Sequence, residues 1–179
     1  ANAVRLGVEM GDAFGRGLMR ARGASGIKAS ETRLQVAAAG DPSTAAAALG
    51  AAMKALPKLS ELKISNVMVG RQALTLRPAS TSLDLSGQGF GPEAAAYLAM
   101  GSFMSSLLTS LDLGFSHELG DEGKRTIAKA IPNTSLQSLK CDALDLRADA
   151  TSLDLSRKKL GDGDAELLAA GIFKFMRSL

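Results

Sequence analysis

Aromatic side chains are scarce in this chain: 4% of 179 residues, with no Trp and a single Tyr. A core made without them must draw on Leu, Ala, Val and Met, which suits a thin, repetitive interior. There is one cysteine, Cys141, so no internal disulfide can form, and it stands where sister segments hold Leu. It reads as a small buried hydrophobe and fits a reducing compartment. The one histidine, His117, lies in a turn beside Glu118, without the partners that a Ser/His/Asp or Cys/His set needs. No metal-ligand spacing occurs. The longest apolar run, residues 45–53, is far too short to span a membrane, and nothing resembles a secretory signal. The chain opens at Ala1 without Met, which points to a processed N terminus and an intracellular, organellar setting.

Charge of one sign is missing too. Eighteen acids are scattered among 21 bases, for a net charge of +3. With no Lys/Arg cluster interleaved with aromatics, a dedicated nucleic-acid surface is excluded, and a solvated mixed-charge face takes its place.

What is present is repetition. Thr81-Ser82-Leu83-Asp84-Leu85-Ser86 returns as Thr109-Ser110-Leu111-Asp112-Leu113 and as Thr151-Ser152-Leu153-Asp154-Leu155-Ser156. Leu83, Leu111 and Leu139 are spaced by 28 residues, the last in the looser copy Leu136-Gln137-Ser138-Leu139-Lys140-Cys141. Each copy alternates apolar and polar, the pattern of a strand with one buried face. Gly-rich turns and Ala/Leu runs at helical spacing follow two copies, at 90–98 and 160–168. The same spacing links Leu6 and Val8 to Leu34 and Val36, and those to Leu62 and Ile64. Helices are expected over 12–22 and 44–56, the second opened by Asp41-Pro42-Ser43 and stopped by Pro57. Two steps are short. Ala73-Leu74-Thr75-Leu76-Arg77 and Ala143-Leu144-Asp145-Leu146-Arg147 each insert an extra Leu-x-Leu before a Thr-Ser-Leu-Asp-Leu copy. A 14-residue step leaves no room for a return helix, so loop or extended chain is expected there.

The pattern resembles leucine-rich repeats of the ribonuclease-inhibitor type. Its L-x-x-L-x-L core stands as Leu108-Leu111-Leu113, Leu136-Leu139-Cys141 and Leu59-Leu62-Ile64, and Leu-Gly-Asp-Glu-Gly at 119–123 resembles the start of the family's helix. The family's Asn after the strand is replaced by Gln88 or Lys158, so the copies are degenerate. The resemblance implies an α/β solenoid, a curved parallel sheet of six to eight strands with helices outside. It covers residues 1–179 as one domain, with 1–57 divergent and 58–179 clearer. The Thr-Ser-Leu-Asp-Leu copies are similar to large leucine-rich families of algae and other protists, which implies an accessory subunit of an organellar photosynthetic or respiratory complex.

Several motifs dissolve under this periodicity. Gly87-Gln88-Gly89-Phe90-Gly91 resembles a dinucleotide fingerprint, but its third Gly position is Pro92, so no cofactor is expected. Residues 120–126 fail the phosphate-loop spacing, and residues 162–166 fail the calcium loop because Leu167 occupies its obligatory Gly position. Capping and helix-dipole stabilisation explain those acids. No enzyme and no small-molecule site is expected.

What remains is surface. In Leu-x-Leu the middle residue faces out, giving the row Gly7, Gln35, Lys63, Thr75, Asp84, Asp112, Lys140, Asp145 and Asp154. Lys63, Asp84, Asp112, Lys140 and Asp154 are the candidate concave partner-binding residues. The run at 172–176 is apolar without a polar cap, which makes Phe173, Phe175 and Met176 candidates for a second contact at that edge. The expected function is a non-enzymatic protein–protein interaction scaffold, an accessory subunit whose partners are other protein subunits. A recognition or regulatory module binding through the concave row is the alternative.

Overall fold

Alternation of apolar and polar residues produces eight short strands in the computed structural model, which describes residues 4–6, 33–36, 59–104, 107–142 and 144–175. The first sheet holds β1 (Val4–Leu6), β2 (Arg33–Val36), β3 (Glu61–Val69) and β4 (Gln72–Leu76), in that order. The second holds β5 (Ser82–Asp84), β6 (Ser110–Asp112), β7 (Ser138–Cys141) and β8 (Leu144–Arg147). Three helices are described: α1 (Pro92–Met104), α2 (Gly120–Ala130) and α3 (Asp162–Phe175).

The expected leucine-rich-repeat solenoid, with one continuous curved parallel sheet, is overturned. The strands form two separate mixed sheets, each with two parallel junctions followed by an antiparallel one. The reason is chain length. A parallel neighbour needs a crossover of a dozen or more residues, whereas a hairpin needs two. Val69 pairs with Gln72 across Gly70-Arg71, and Cys141 pairs with Leu144 across the next two-residue turn. The extra Leu-x-Leu triplets can only fold back, and each such return strand ends its sheet. Gly70 (φ 60) supplies the left-handed backbone of the first turn, and Asp142 (φ 45) that of the second. Gly70 is required on a further count: a Cβ there would lie 2.6 Å from the carbonyl oxygen of Gln88.

Within the second sheet the 28-residue spacing is a register. Leu83, Leu111 and Leu139 are laterally paired, as are Ser82, Ser110 and Ser138. In the first sheet Leu34 pairs with Leu62 at the same spacing, but Leu6 pairs with Val36 and Val4 with Leu34, so the expected Leu6–Leu34 match slips by two residues. Thr151–Ser156 forms no ladder, contrary to the strand expected there. The helices expected over 12–22 and 44–56 lie outside the described residues.

The core follows the scarcity of aromatics. Leu62, Ile64, Leu74, Leu111, Leu113, Leu139, Leu146 and Leu167 are buried and belong to one apolar cluster, with Phe90, Tyr97 and Phe175 its aromatic members. Each buried Leu contributes about 2 kcal/mol relative to exposure. Small residues let the helices close on one another: a Cβ on Gly163 at the start of α3 would lie 2.7 Å from Cα of Asp121 in α2. Among the described residues no helix is long and apolar enough to cross a membrane.

Candidate functional site

The second sheet turns its apolar residues inward, so its other face is assembled from the alternate positions. Across β5, β6, β7 and β8 one row reads Asp84, Asp112, Lys140, Asp145, and the next reads Ser82, Ser110, Ser138, Arg147. Lys140 Nζ stands 3.4 Å from Asp112 Oδ2. Arg147 donates two bonds to Asp145, Nε to Oδ1 at 2.9 Å and Nη2 to Oδ2 at 2.6 Å. The Arg147 guanidinium, bonded to Asp145, holds that carboxyl below the usual carboxylate range. Asp84 has no ion-pair partner among the described residues, although it lies directly beside Asp112 in the parallel register.

Each Asp of the repeated Ser-Leu-Asp-Leu text also hooks its own backbone. Oδ1 of Asp84 accepts from Ser86 N at 2.9 Å, that of Asp112 from Gly114 N at 2.8 Å, and that of Asp154 from Ser156 N at 2.8 Å. These are Asx turns that stop the strand. The bonds from Ser86 and Ser156 pull the carboxyls of Asp84 and Asp154 below their ordinary range. One residue beyond each hook the backbone turns left-handed, at Gly87 (φ 65), Phe115 (φ 57) and Arg157 (φ 58). The acids therefore have a structural task; Asp84 and Asp154 remain exposed, while Asp112 is half-buried with its second oxygen beside Lys140.

Asp84, Asp112 and Lys140 are brought together on one face. Lys63 is not among them: it is exposed on the first sheet, paired with Gln35 and Thr75. The expected single row is thus broken between Thr75 and Asp84, and in the first sheet it begins at Arg5, opposite Gln35, where Gly7 was expected. Asp154 is exposed but off the ladder. Of the apolar candidates near the C-terminal end, Phe173 is 80% exposed, Phe175 is turned into the core at 5%, and Met176 lies outside the described residues.

Two features were not singled out from sequence. Phe115 is 71% exposed in a left-handed backbone, held between the Asp112 hook and Ser116 N, which donates to Asp142 Oδ1 at 3.2 Å. Its signal was alignment with Gly87, which marks the position as left-handed. The second is an ion cluster. Lys124 of α2 reaches Asp164 Oδ1 at 2.8 Å and Asp142 Oδ2 at 3.4 Å, tying the β7–β8 turn to the start of α3. Burial draws the Lys124 ammonium down, but its bond to Asp164 and the two carboxylates outweigh that and leave its pKa raised. Asp164 also accepts from Gly161 N at 3.0 Å, half of a capping box. No sequence period announces this cluster, because its members lie on three different elements.

The Gly87–Gly91 loop lies near Gly70 and Arg71, around a cleft of about 490 Å³. The Glu118 carboxylate sits 3.4 Å from where a Cβ on Gly89 would be, so a phosphate there would meet negative charge. His117 is exposed, but it opens a 3-10 helix over His117–Leu119 and does not lie in the turn expected for it. Among the described residues no group of three or more His, Cys, Asp or Glu is placed to hold a metal ion.

No known family model matches the chain, and no solved structure matches it.

Proposed function

We propose that the chain is a non-enzymatic protein–protein interaction unit, an accessory subunit of a larger assembly, which receives a protein partner on the polar face of its second sheet. One observation supports this above the rest: Asp84 and Asp112 lie side by side in register with Lys140 as their one lysine, on a sheet whose other face is locked into the core. Two neighbouring carboxylates, Asp84 exposed and Asp112 half-buried, cost little in water, about 1 kcal/mol, but they favour a cationic partner and set its register. Ser82, Ser110 and Ser138 add small hydrogen-bonding groups that let a partner backbone approach closely.

The test uses two substitutions that separate charge from fold. Asp84→Asn with Asp112→Asn keeps a side-chain oxygen for each Asx turn and removes both charges. Asp84→Lys with Asp112→Lys reverses them. In cross-linking mass spectrometry on the assembly from its native source, Lys140 is expected to carry partner cross-links. Partner affinity should fall about tenfold in the Asn pair and further in the Lys pair. Unchanged affinity in both pairs would remove the face as the docking site.

A further inference from the structure

The unit β5–α1 is written twice. Thr81–Ser86 and Thr151–Ser156 match letter for letter, 70 residues apart, and α3 begins at Asp162, 70 residues after α1 begins at Pro92. The conformations match as well: the same Asx hook, at 2.9 Å in one and 2.8 Å in the other, and the same left-handed residue, Gly87 and Arg157. The surroundings differ most, and the difference shows what the second copy lacks.

In the first copy β6 lies alongside. Thr81 O accepts from Thr109 N at 2.8 Å and Ser110 N at 3.1 Å, Leu85 N donates to Asp112 O at 2.9 Å, and Gly87 N donates to Gly114 O at 2.8 Å. The same acceptor and donor positions serve again between β6 and β7, where Thr109 O accepts from Gln137 N and Leu113 N donates to Lys140 O. Their counterparts Thr151 O, Leu155 N and Arg157 N make no such bond among the described residues. The core is open at the same place. Leu85, Phe90 and Leu98 are buried to 7%, 0% and 1% exposure, whereas Leu155, Leu160 and Leu168 are only half-buried. Charge completes the comparison. Gly89, against which Glu118 of the neighbouring unit lies, is replaced in the second copy by Lys159.

We infer that the edge formed by residues 151–159 is a docking site for a partner polypeptide. That partner adds a parallel strand with an apolar-polar-apolar pattern, followed by a helix that starts with an acidic residue. The strand takes up Thr151 O, Leu155 N and Arg157 N, the helix covers Leu160 and Leu168, and the acid meets Lys159. This is strand addition in which main-chain bonds supply affinity and alternate side chains supply selectivity. The inference rests on the reading of the chain as an assembly subunit, but it uses a surface separate from Asp84 and Asp112.

A peptide of residues 107–133, which carries β6, Glu118 and α2, serves as the probe against the full chain. Saturable binding is expected, with hydrogen-exchange protection appearing at Leu155 and Arg157. Lys159→Glu, on an exposed side chain, should weaken binding about tenfold, and a Glu118→Lys peptide should restore it. Leu155→Pro removes the edge donor and should abolish it. Self-association of the chain that Lys159→Glu weakens in sedimentation would support the site, with a second copy as the partner. No binding, protection confined to β5 and β6, or a Lys159→Glu variant that binds as the original does would overturn the inference. None of these outcomes depends on Asp84→Lys, so failure of one surface leaves the other standing.

Discussion

Phe115 combines two costs that a single residue rarely carries together. Its backbone is left-handed (φ 57), a region where a side chain with a Cβ loses about 1 kcal/mol or more, and 71% of it stays in water. At the equivalent place 28 residues earlier the chain uses Gly87. Phe115→Gly should therefore stabilise the protein by about 0.5–1 kcal/mol, the relief of strain being partly offset by the greater freedom of Gly in the unfolded chain. Urea denaturation of the two proteins checks this, and a loss of stability would mean that the ring is held by contacts the exposure does not reveal. A stabilising change at an exposed aromatic is also the mark of a residue kept for contact rather than for folding. Phe115 stands just beyond Asp112, so it belongs beside the polar face in any survey of partner contacts.

Elements meet through small residues and a few fixed polar bonds. Gly163 N donates to Asp121 Oδ1 at 3.1 Å, and a Cβ on Gly163 would press on the Asp121 backbone at 2.7 Å, so α2 and α3 cannot part without losing the bond. Gly163→Ala should cost about 1–3 kcal/mol in chemical denaturation, because the opposing atom is main chain and cannot rotate away. A cost below 0.5 kcal/mol, roughly the scatter of neutral surface changes, would show that the helices slide freely. What could be read at this scale was periodicity. The ladder of Leu83, Leu111 and Leu139 was legible because a 28-residue spacing repeats an entire strand–turn–helix unit. Direction was not legible. Leu74-Thr75-Leu76 and Leu144-Asp145-Leu146 show the same period of two as their parallel neighbours, and only the length of the preceding turn decides that they run back. The sheet break between Leu76 and Ser82 follows from that reversal and carries no mark of its own. Residues 151–156 show the converse: text identical to β5 forms no strand where no neighbour completes it, since a strand is a property of a pair. Among the site residues, the alternation that placed Asp84, Asp112 and Lys140 on one face was local, whereas Lys124, Asp142 and Asp164 meet only through the tertiary fold.

For the whole molecule these local arrangements set a pH window. On the acid side, Asp84, Asp145 and Asp154 have carboxyls lowered from 3.8, so their contribution is present above that value and is lost as pH falls through the folded values. All three are near the surface, and the acid decline should be shallow. The alkaline side is governed from inside. Burial, with Asp142 beside it, pushes the Cys141 thiol up from 9.0 to about 12. Between those values the unfolded chain releases a proton that the folded one keeps, so stability falls as pH rises, by up to about 1.4 kcal/mol per unit. Lys124, raised from 10.5, acts with the same sign but later: its contribution is whole below that pH and disappears as pH climbs through the folded value. Denaturation midpoints followed across this range should therefore be level through neutrality and bend downward from about pH 9, more steeply above about pH 10.5. Cys141→Ala should lower the whole curve by creating a small cavity, yet move the first bend from pH 9 towards pH 10.5, because it removes the thiol's shift and leaves that of Lys124 in place. The slope between pH 9 and 10.5 is the discriminating quantity, being independent of the cavity cost. If that slope is the same in both proteins, the thiol is not the neutral group that its burial, with Asp142 beside it, makes it.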